Sequence, residues 1–253
     1  MLKNNYDVVI VGAGPSGAST ARGLVNERLE VLVLEKKNVP RYKMCSGIIF
    51  KKSQDITEKL FGKIPESAYV TPRFLKGVRL WSDNKHFSDW PFNKGDNGAP
   101  NVWRSEYDYW LIKNSGAEVK DCCSLKGFKD YGNYIMLECH DTRNNETINI
   151  RCKYLVRKTG CMGNDMCTSG RFYLGKGKVL LVGEAAGFLN AFGEGISCAL
   201  STGLFAAEVI TKGIKSGNDA LAIYTELTKL ERRQTKMSWK LGAKIAGRDL
   251  MPI

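Results

Sequence analysis

Three glycines, Gly12, Gly14 and Gly17, follow one apolar run, and an acidic residue, Glu35, ends the next. At this spacing the first glycine allows a tight turn, the second lets a pyrophosphate approach the backbone, and the third lets a helix pack on the preceding strand. A carboxylate about 20 residues further on can accept hydrogen bonds from ribose hydroxyls. The pattern indicates dinucleotide binding, although glycines alone leave open a βαβ unit without a nucleotide.

The elements that would position these residues are a strand, a helix and a second strand. Residues 8–11 are apolar and β-branched, as expected of a strand buried on both faces of a parallel sheet. We expect a helix from about Pro15 to Asn26, with its free amide groups and positive dipole end directed at the phosphates, and then a strand at residues 31–34.

A second glycine motif follows the apolar residues 179–182 and comprises Gly183, Glu184 and Gly187, with Gly193 and Gly195 after it. A helix rich in small residues is predicted from about residue 196 to 212. If both motifs serve one ligand, this helix end stabilises negative charge there, as on a reduced flavin ring. The alternative is a small-residue helix that only packs on a core strand.

The middle of the chain differs in composition. Prolines interrupt residues 51–100, and two short strands, 77–81 and 85–87, flank a turn at 83–84. We expect a discontinuous nucleotide-binding domain, residues 1–50 and 101–253, that carries 51–100 as an inserted, reduced substrate-side segment. A helix is predicted over 103–115, and a hairpin over 134–140 and 146–156.

Composition limits the partners. The 253 residues carry a net charge of +12, which favours anionic ligands, nucleic acid or an anionic membrane, but no nucleic-acid motif accompanies it. No apolar run is long enough to span a bilayer, so membrane contact is expected to be peripheral, through a basic helix over 221–248 that could equally be a packed surface helix. The eight cysteines lack zinc-site spacing, which favours reduced thiols, no metal and a cytoplasmic location.

The chain resembles the geranylgeranyl-reductase-like FAD-dependent oxidoreductases, within the group built like p-hydroxybenzoate hydroxylase. The resemblance rests on the first glycine motif with Glu35, the loop at 40–47 (PRYKMCSG), residues 103–111 (WRSEYDYWL), and the second glycine motif with GEGI at 193–196. It implies a Rossmann-like α/β FAD-binding domain, a parallel sheet plus a β-hairpin or meander, with a small antiparallel substrate-binding part.

By this resemblance, Cys45 faces the flavin and is the candidate catalytic residue, as proton donor or flavin-positioning group. The resemblance and the motifs together predict the FAD-binding residues Gly12, Ala13, Gly14, Pro15, Ser16, Gly17, Glu35, Lys36, Arg41, Cys45, Ser46, Gly47, Arg104, Gly183, Glu184, Gly187, Gly193, Gly195 and Ile196. No second dinucleotide fingerprint is present, so electrons would come from transiently bound NAD(P)H or from a ferredoxin.

Two departures from the family pattern keep three functions open. Glu184 stands where the family usually has Asp, and Arg157 is followed by Lys-Thr-Gly in place of an Asp-Gly motif, with a shortened substrate region after it. The first hypothesis is reduction of carbon–carbon double bonds in a prenyl lipid or similarly hydrophobic substrate. The alternatives are a flavin-dependent monooxygenase of the same fold and a non-catalytic FAD-binding protein.

Overall fold

The computed structural model describes residues 2–82, 85–92, 98–157 and 170–245. Its helices are α1 (Pro15–Asn26), α2 (Lys51–Phe61), α3 (Arg104–Lys113), α4 (Ile196–Ser216), α5 (Ala220–Leu227) and α6 (Lys229–Ile245). Its strands are β1 (Asn5–Val11), β2 (Val31–Leu34), β3 (Tyr69–Leu75), β4 (Gly77–Ser82), β5 (Lys85–Pro91), β6 (Ala99–Val102), β7 (Glu118–Lys120), β8 (Cys123–Asp130), β9 (Ile135–Asp141), β10 (Glu146–Arg157), β11 (Gly175–Lys176) and β12 (Val179–Leu181).

The main sheet is built around β1 and β10. Its strand order is β11-β12-β10-β1-β2-β7, and β1 pairs in parallel with both β2 and β10. The second half of β10 also pairs in parallel with β12, whereas its first half pairs antiparallel with β9, which continues to β8. The carboxyl ends of β1, β2, β10 and β12 therefore share one edge, and both glycine motifs begin there. The expected α/β class, with a parallel sheet and a meander, is confirmed.

The two helices that follow the glycine motifs, α1 and α4, pack directly on each other. A Cβ on Gly203 of α4 would lie 2.2 Å from Ser19 Oγ and 2.4 Å from the Ser16 carbonyl oxygen of α1. The Thr20 hydroxyl donates a hydrogen bond of 3.0 Å to the Gly203 carbonyl oxygen. The small residues of α4 therefore permit close packing, and this packing brings the amino ends of the two helices together.

The segment 51–100 begins with α2, a helix that the sequence reading did not predict. Its two fully buried residues, Ser53 and Thr57, are polar, and its apolar residues Ile56, Leu60 and Phe61 lie only in its second half. Thr57 is held by a 2.6 Å hydrogen bond between its hydroxyl and that of Tyr107. After α2, β4 pairs antiparallel with β5, as expected, and β3 pairs with β6 in a second antiparallel sheet that the sequence did not predict. The division of the chain into a discontinuous domain and an insertion stays a prediction.

The single helix expected over 221–248 is wrong, because the chain forms two helices there. Helix α5 ends before Thr228, whose hydroxyl donates a 2.8 Å hydrogen bond back to the Tyr224 carbonyl oxygen, and α6 begins at Lys229. Threonine side chains compete in this way with the regular helix pattern. Three predicted features lie outside the described residues: the end of this helix at 246–248, the turn at 83–84 and the Lys-Thr-Gly after Arg157.

Candidate cofactor-binding site

The first glycine motif has the geometry that its spacing predicts. Gly12 has a φ of 111°, a conformation that favours glycine, and its amide donates to the Leu34 carbonyl oxygen at 2.7 Å. A Cβ on Gly17 would lie 2.0 Å from the Gly12 carbonyl oxygen, so a side chain there would displace the turn. The first and third glycines are therefore required by the backbone itself.

The amino end of α1 is suited to an anion. It has Pro15 in its first turn, no side-chain cap and no acidic residue in that turn. The Ser16 hydroxyl is buried and has no hydrogen-bond partner within the described part of the chain. Uncapped amides at a helix amino end, together with the helix dipole, attract phosphate groups. These features fit the pyrophosphate of a dinucleotide.

Glu35 ties the first glycine motif to the loop that follows β2. Its carboxylate, only 5% exposed, accepts hydrogen bonds from the Ala13 amide at 3.1 Å and from Arg41 Nε at 2.9 Å. It also accepts from the Lys37 amide at 3.1 Å. These three hydrogen bonds leave about one acceptor position on the carboxylate, which has about four in all. Glu35 can thus hold the loop and still accept a ribose hydroxyl.

A buried ion pair joins that loop to α3. Arg104 Nε and Nη2 donate to the two oxygens of Asp108 at 2.7 and 2.9 Å, and Arg41 Nη1 lies 3.4 Å from Asp108 Oδ2. Burial disfavours the charged form of Arg104, but the opposing effect of Asp108 is larger overall, and the pKa of the guanidinium lies above its ordinary value. Arg104 and Cys45 line the same cavity.

Two cavities lie on either side of the amino end of α1. One, of 350 Å³, is lined by Gly12, Glu35 and Arg41, with Cys123, Ser124 and Leu125 of β8 on its far side. The other, of 390 Å³, is lined by Pro15, Cys45, Arg104 and Glu184 and by apolar side chains including Met44, Leu189 and Phe192. Lys43 lines both. The arrangement suits a long ligand with a central anionic group.

The second glycine motif meets the first. Gly183 has a φ of 60°, and a Cβ there would lie 3.4 Å from Ser16 Oγ. Its amide donates to the Thr202 hydroxyl at 3.0 Å. The amino end of α4, however, already carries a carboxylate, since Glu194 accepts from the amide and hydroxyl of Ser197, both at 2.8 Å. The positive potential expected there is therefore partly neutralised by the protein itself.

The predicted site residues divide into two groups. Those that line a cavity are Gly12, Glu35, Lys36 and Arg41 on one side and Pro15, Cys45, Ser46, Arg104, Glu184, Gly193, Gly195 and Ile196 on the other. The remainder shape the backbone around them: Ala13, Gly14, Ser16, Gly17, Gly47, Gly183 and Gly187. Among these, Gly47 serves packing, because a Cβ there would lie 2.2 Å from the Val102 carbonyl oxygen.

Sequence reasoning missed several cavity residues. Asp108 could have been found from its i, i+4 spacing to Arg104, which places both on one helix face. Lys43 and Met44 lie in the PRYKMCSG loop that the sequence singled out, but they were given no role. Leu189, Phe192 and the β8 residues had no such signal, because only the fold brings them to the cavities.

Comparisons with known proteins agree with this geometry. A family model for an NAD(P)-binding Rossmann-like domain matches residues 10–46. A flavin-dependent halogenase of Armillaria mellea is 31% identical over 121 residues, 45% of this chain and 22% of that protein. A digeranylgeranylglycerophospholipid reductase of Picrophilus torridus is 27% identical over 166 residues, 63% of this chain and 40% of that protein.

A solved structure of a geranylgeranyl bacteriochlorophyll reductase-like protein from Thermoplasma acidophilum has the same fold, with a TM-score of 0.78 at 17% identity over 97% of this chain and 89% of that one. The chain spans less than half the length of the two curated relatives, 22% of the first and 40% of the second. Within its described residues, no helix is long and apolar enough to cross a membrane.

Proposed function

We propose that this protein binds FAD and reduces carbon–carbon double bonds of a prenyl lipid or a similarly hydrophobic substrate. The observation that carries the proposal is the 390 Å³ cavity beside the second glycine motif, where Cys45 lies among the apolar side chains of Met44, Leu189 and Phe192. Apolar pockets with a few polar groups are typical of sites for hydrophobic small molecules.

Each part of FAD has residues that fit it. Glu35 and the 350 Å³ cavity suit the adenosine, and the uncapped amino end of α1 suits the pyrophosphate. Glu184 is positioned for the ribityl hydroxyls at the entrance to the second cavity, where the flavin ring would lie. When bound, FAD supplies two-electron redox chemistry. The electrons themselves come from NAD(P)H or a ferredoxin in this proposal.

Cys45 would supply the proton that completes the reduction of a double bond. Its thiol is exposed, and it lines the cavity together with Arg104. Asp108 balances the charge of Arg104, so the guanidinium adds little net positive charge to the cavity wall near the sulfur. In this role Cys45 holds a proton at Sγ and donates it to the substrate carbon.

The test is single-turnover reoxidation. FAD-loaded protein is reduced without oxygen and mixed with a geranylgeranyl lipid, and the flavin absorbance and the saturated product are followed together. We expect reoxidation to require the lipid and to slow in Cys45→Ala, with Cys122→Ala as the matched control because Cys122 lines neither cavity. Bound FAD that no prenyl lipid reoxidises would refute the reductase proposal and favour a non-catalytic flavin-binding protein.

A second candidate function uses oxygen in place of the alkene. The similarity to a flavin-dependent halogenase of Armillaria mellea, 31% identical over 121 residues, favours it. A monooxygenase or halogenase would form its product only with oxygen and a reduced flavin. Oxygen-dependent product formation, with no anaerobic lipid reduction, would decide for this alternative.

A further inference from the structure

Helix α6 is fixed to the protein through one face. Glu231 and Thr235 are buried on that face. The indole nitrogen of Trp239 donates to the Leu189 carbonyl oxygen at 2.8 Å, and the Ala191 amide donates to the Ser238 hydroxyl at 3.2 Å. The loop that α6 contacts thus includes Leu189, which lines the 390 Å³ cavity. Any surface that binds α6 is therefore held in a set orientation to that cavity.

The opposite face of α6 carries a row of exposed cations. They follow one another at helical spacings of three or four residues: Lys229, Arg233, Lys236, Lys240 and Lys244. At about 100° per residue the row occupies an arc of about 80°. Lys229 pairs with Glu226, but in the described part of the chain no ion pair joins the other four to a carboxylate. Like charges at these spacings destabilise a helix, and an anionic partner would relieve the repulsion.

A row of apolar side chains lies beside the cations. Leu230, Met237 and Leu241 are 60%, 57% and 49% exposed, and they fall within about 40° of one another around the helix axis. Met237 also lines a 510 Å³ surface groove together with the cations. The exposed part of α6 is thus divided lengthwise into a cationic row and an apolar row.

We propose that α6 lies on an anionic lipid surface. The cationic row contacts the head groups, and Leu230, Met237 and Leu241 enter the boundary between head groups and acyl chains. Both rows are then used, as in interfacial amphipathic helices with basic and apolar faces. A nucleic acid would satisfy the cations but leave the apolar row in water, so the pairing of the two rows favours a lipid surface.

This orientation has a consequence for the cavity. The loop under α6 lies within about one helix diameter, ~10 Å, of the lipid-facing row. The cavity margin on that loop carries Phe192, which is 46% exposed, and Met44 across from it is 79% exposed. A lipid substrate could thus reach the cavity from the bilayer. That consequence rests on the proposed function, whereas the docking of α6 does not.

The experiment is sedimentation with vesicles of phosphatidylcholine alone or mixed with phosphatidylglycerol, at low and high salt. The first variant removes three cations of α6 (R233Q/K236Q/K240Q), and the second its apolar row (L230S/M237S/L241S). A control, K63Q/K126Q/K176Q, removes the same charge from exposed positions on other elements. One cation at an anionic surface contributes about fivefold in affinity, so the cation variant should lose at least tenfold.

We expect binding only to the anionic vesicles, weakened by salt, with the control unchanged and the apolar variant weakened several-fold. Equal binding of the two vesicle types, no binding, or the same loss in the control would overturn the proposal. So would an apolar variant that binds like the unaltered protein while heparin competes fully, since that result assigns the cations to a soluble polyanion. The assay contains no substrate or electron donor, so its failure leaves the reductase proposal standing.

Discussion

The buried pair of Arg104 and Asp108 gives the sharpest stability prediction, because the chain contains an exposed pair with the same spacing. Arg104 and Asp108 are 6% and 2% exposed, whereas Glu208 and Lys212 on α4 are 46% and 48% exposed. Both are i, i+4 pairs within a helix. They differ in solvent exposure and in the second cation, Arg41, that lies 3.4 Å from Asp108. Both differences make the buried pair the costlier one to break.

Asp108→Asn removes the charge and leaves a buried guanidinium without a counterion. Breaking a buried pair in this way costs about 3–5 kcal/mol, which lowers the thermal midpoint by about 6–20 °C for a chain of this size. Glu208→Gln should cost no more than about 0.5 kcal/mol, or roughly 2 °C. The double variant Arg104→Met, Asp108→Leu should recover much of the loss, because it removes both charges together.

The measurement is thermal unfolding of all four proteins followed by circular dichroism, with FAD absent. The same proteins are then titrated with FAD, and we expect Asp108→Asn to bind it at least tenfold more weakly, because Arg41 and Arg104 both lose a partner. Equal thermal midpoints for Asp108→Asn and Glu208→Gln would refute the reasoning, because burial would then not determine how much each ion pair contributes to stability.

Three further predictions concern single groups. Cys45 should be alkylated by iodoacetamide and protected by FAD, whereas Cys198, whose pKa burial raises to about 11, should not react in the folded protein, as peptide mapping will show. Glu194→Gln should raise the flavin midpoint potential by roughly 10–20 mV, because it removes a negative charge from the amino end of α4; an unchanged or lower potential would contradict this. The hydrogen bond from Lys120 lowers the pKa of Asp141 below its ordinary value of 3.8. The ionised carboxylate of Asp141 therefore stabilises the folded protein above pH 3.8, and this stabilisation is lost as the pH falls through the lowered pKa. The free energy of unfolding of the unaltered protein should therefore exceed that of Asp141→Asn by an amount that decreases in acid. A difference that does not change with pH would contradict the assignment.

Local patterns predicted much of the fold. The strand, turn and helix around Gly12 and Gly17 could be read from sequence because those glycines are required by backbone conformation and close approach. The hairpin of β9 and β10 followed from alternating residues and a polar turn. The small residues of α4 signalled a close helix contact, although not which helix would be the partner.

What sequence reasoning could not supply depends on tertiary contacts. Helix α2 was missed because its two fully buried residues are polar and its apolar residues lie only in its second half. The break at Thr228 depends on a hydroxyl that donates a hydrogen bond to the preceding turn. The role of Asp108 depends on its contact with Arg41, which lies on a loop distant in sequence. Likewise, the carboxylate of Glu194 partly neutralises the positive potential that the glycine motif alone predicts at the amino end of α4.

The central claim is that the two glycine motifs form one FAD site, and a titration tests it most directly. Purified protein and two variants, Gly17→Ala and Gly127→Ala, are titrated with FAD while flavin fluorescence and visible absorbance are recorded. A Cβ on Gly17 would meet the Gly12 carbonyl oxygen at 2.0 Å, whereas a Cβ on Gly127 meets no atom within 4 Å. We predict saturable binding of one FAD that Gly17→Ala abolishes and Gly127→Ala preserves. No saturable binding by the unaltered protein, or equal binding by Gly17→Ala, would contradict the account.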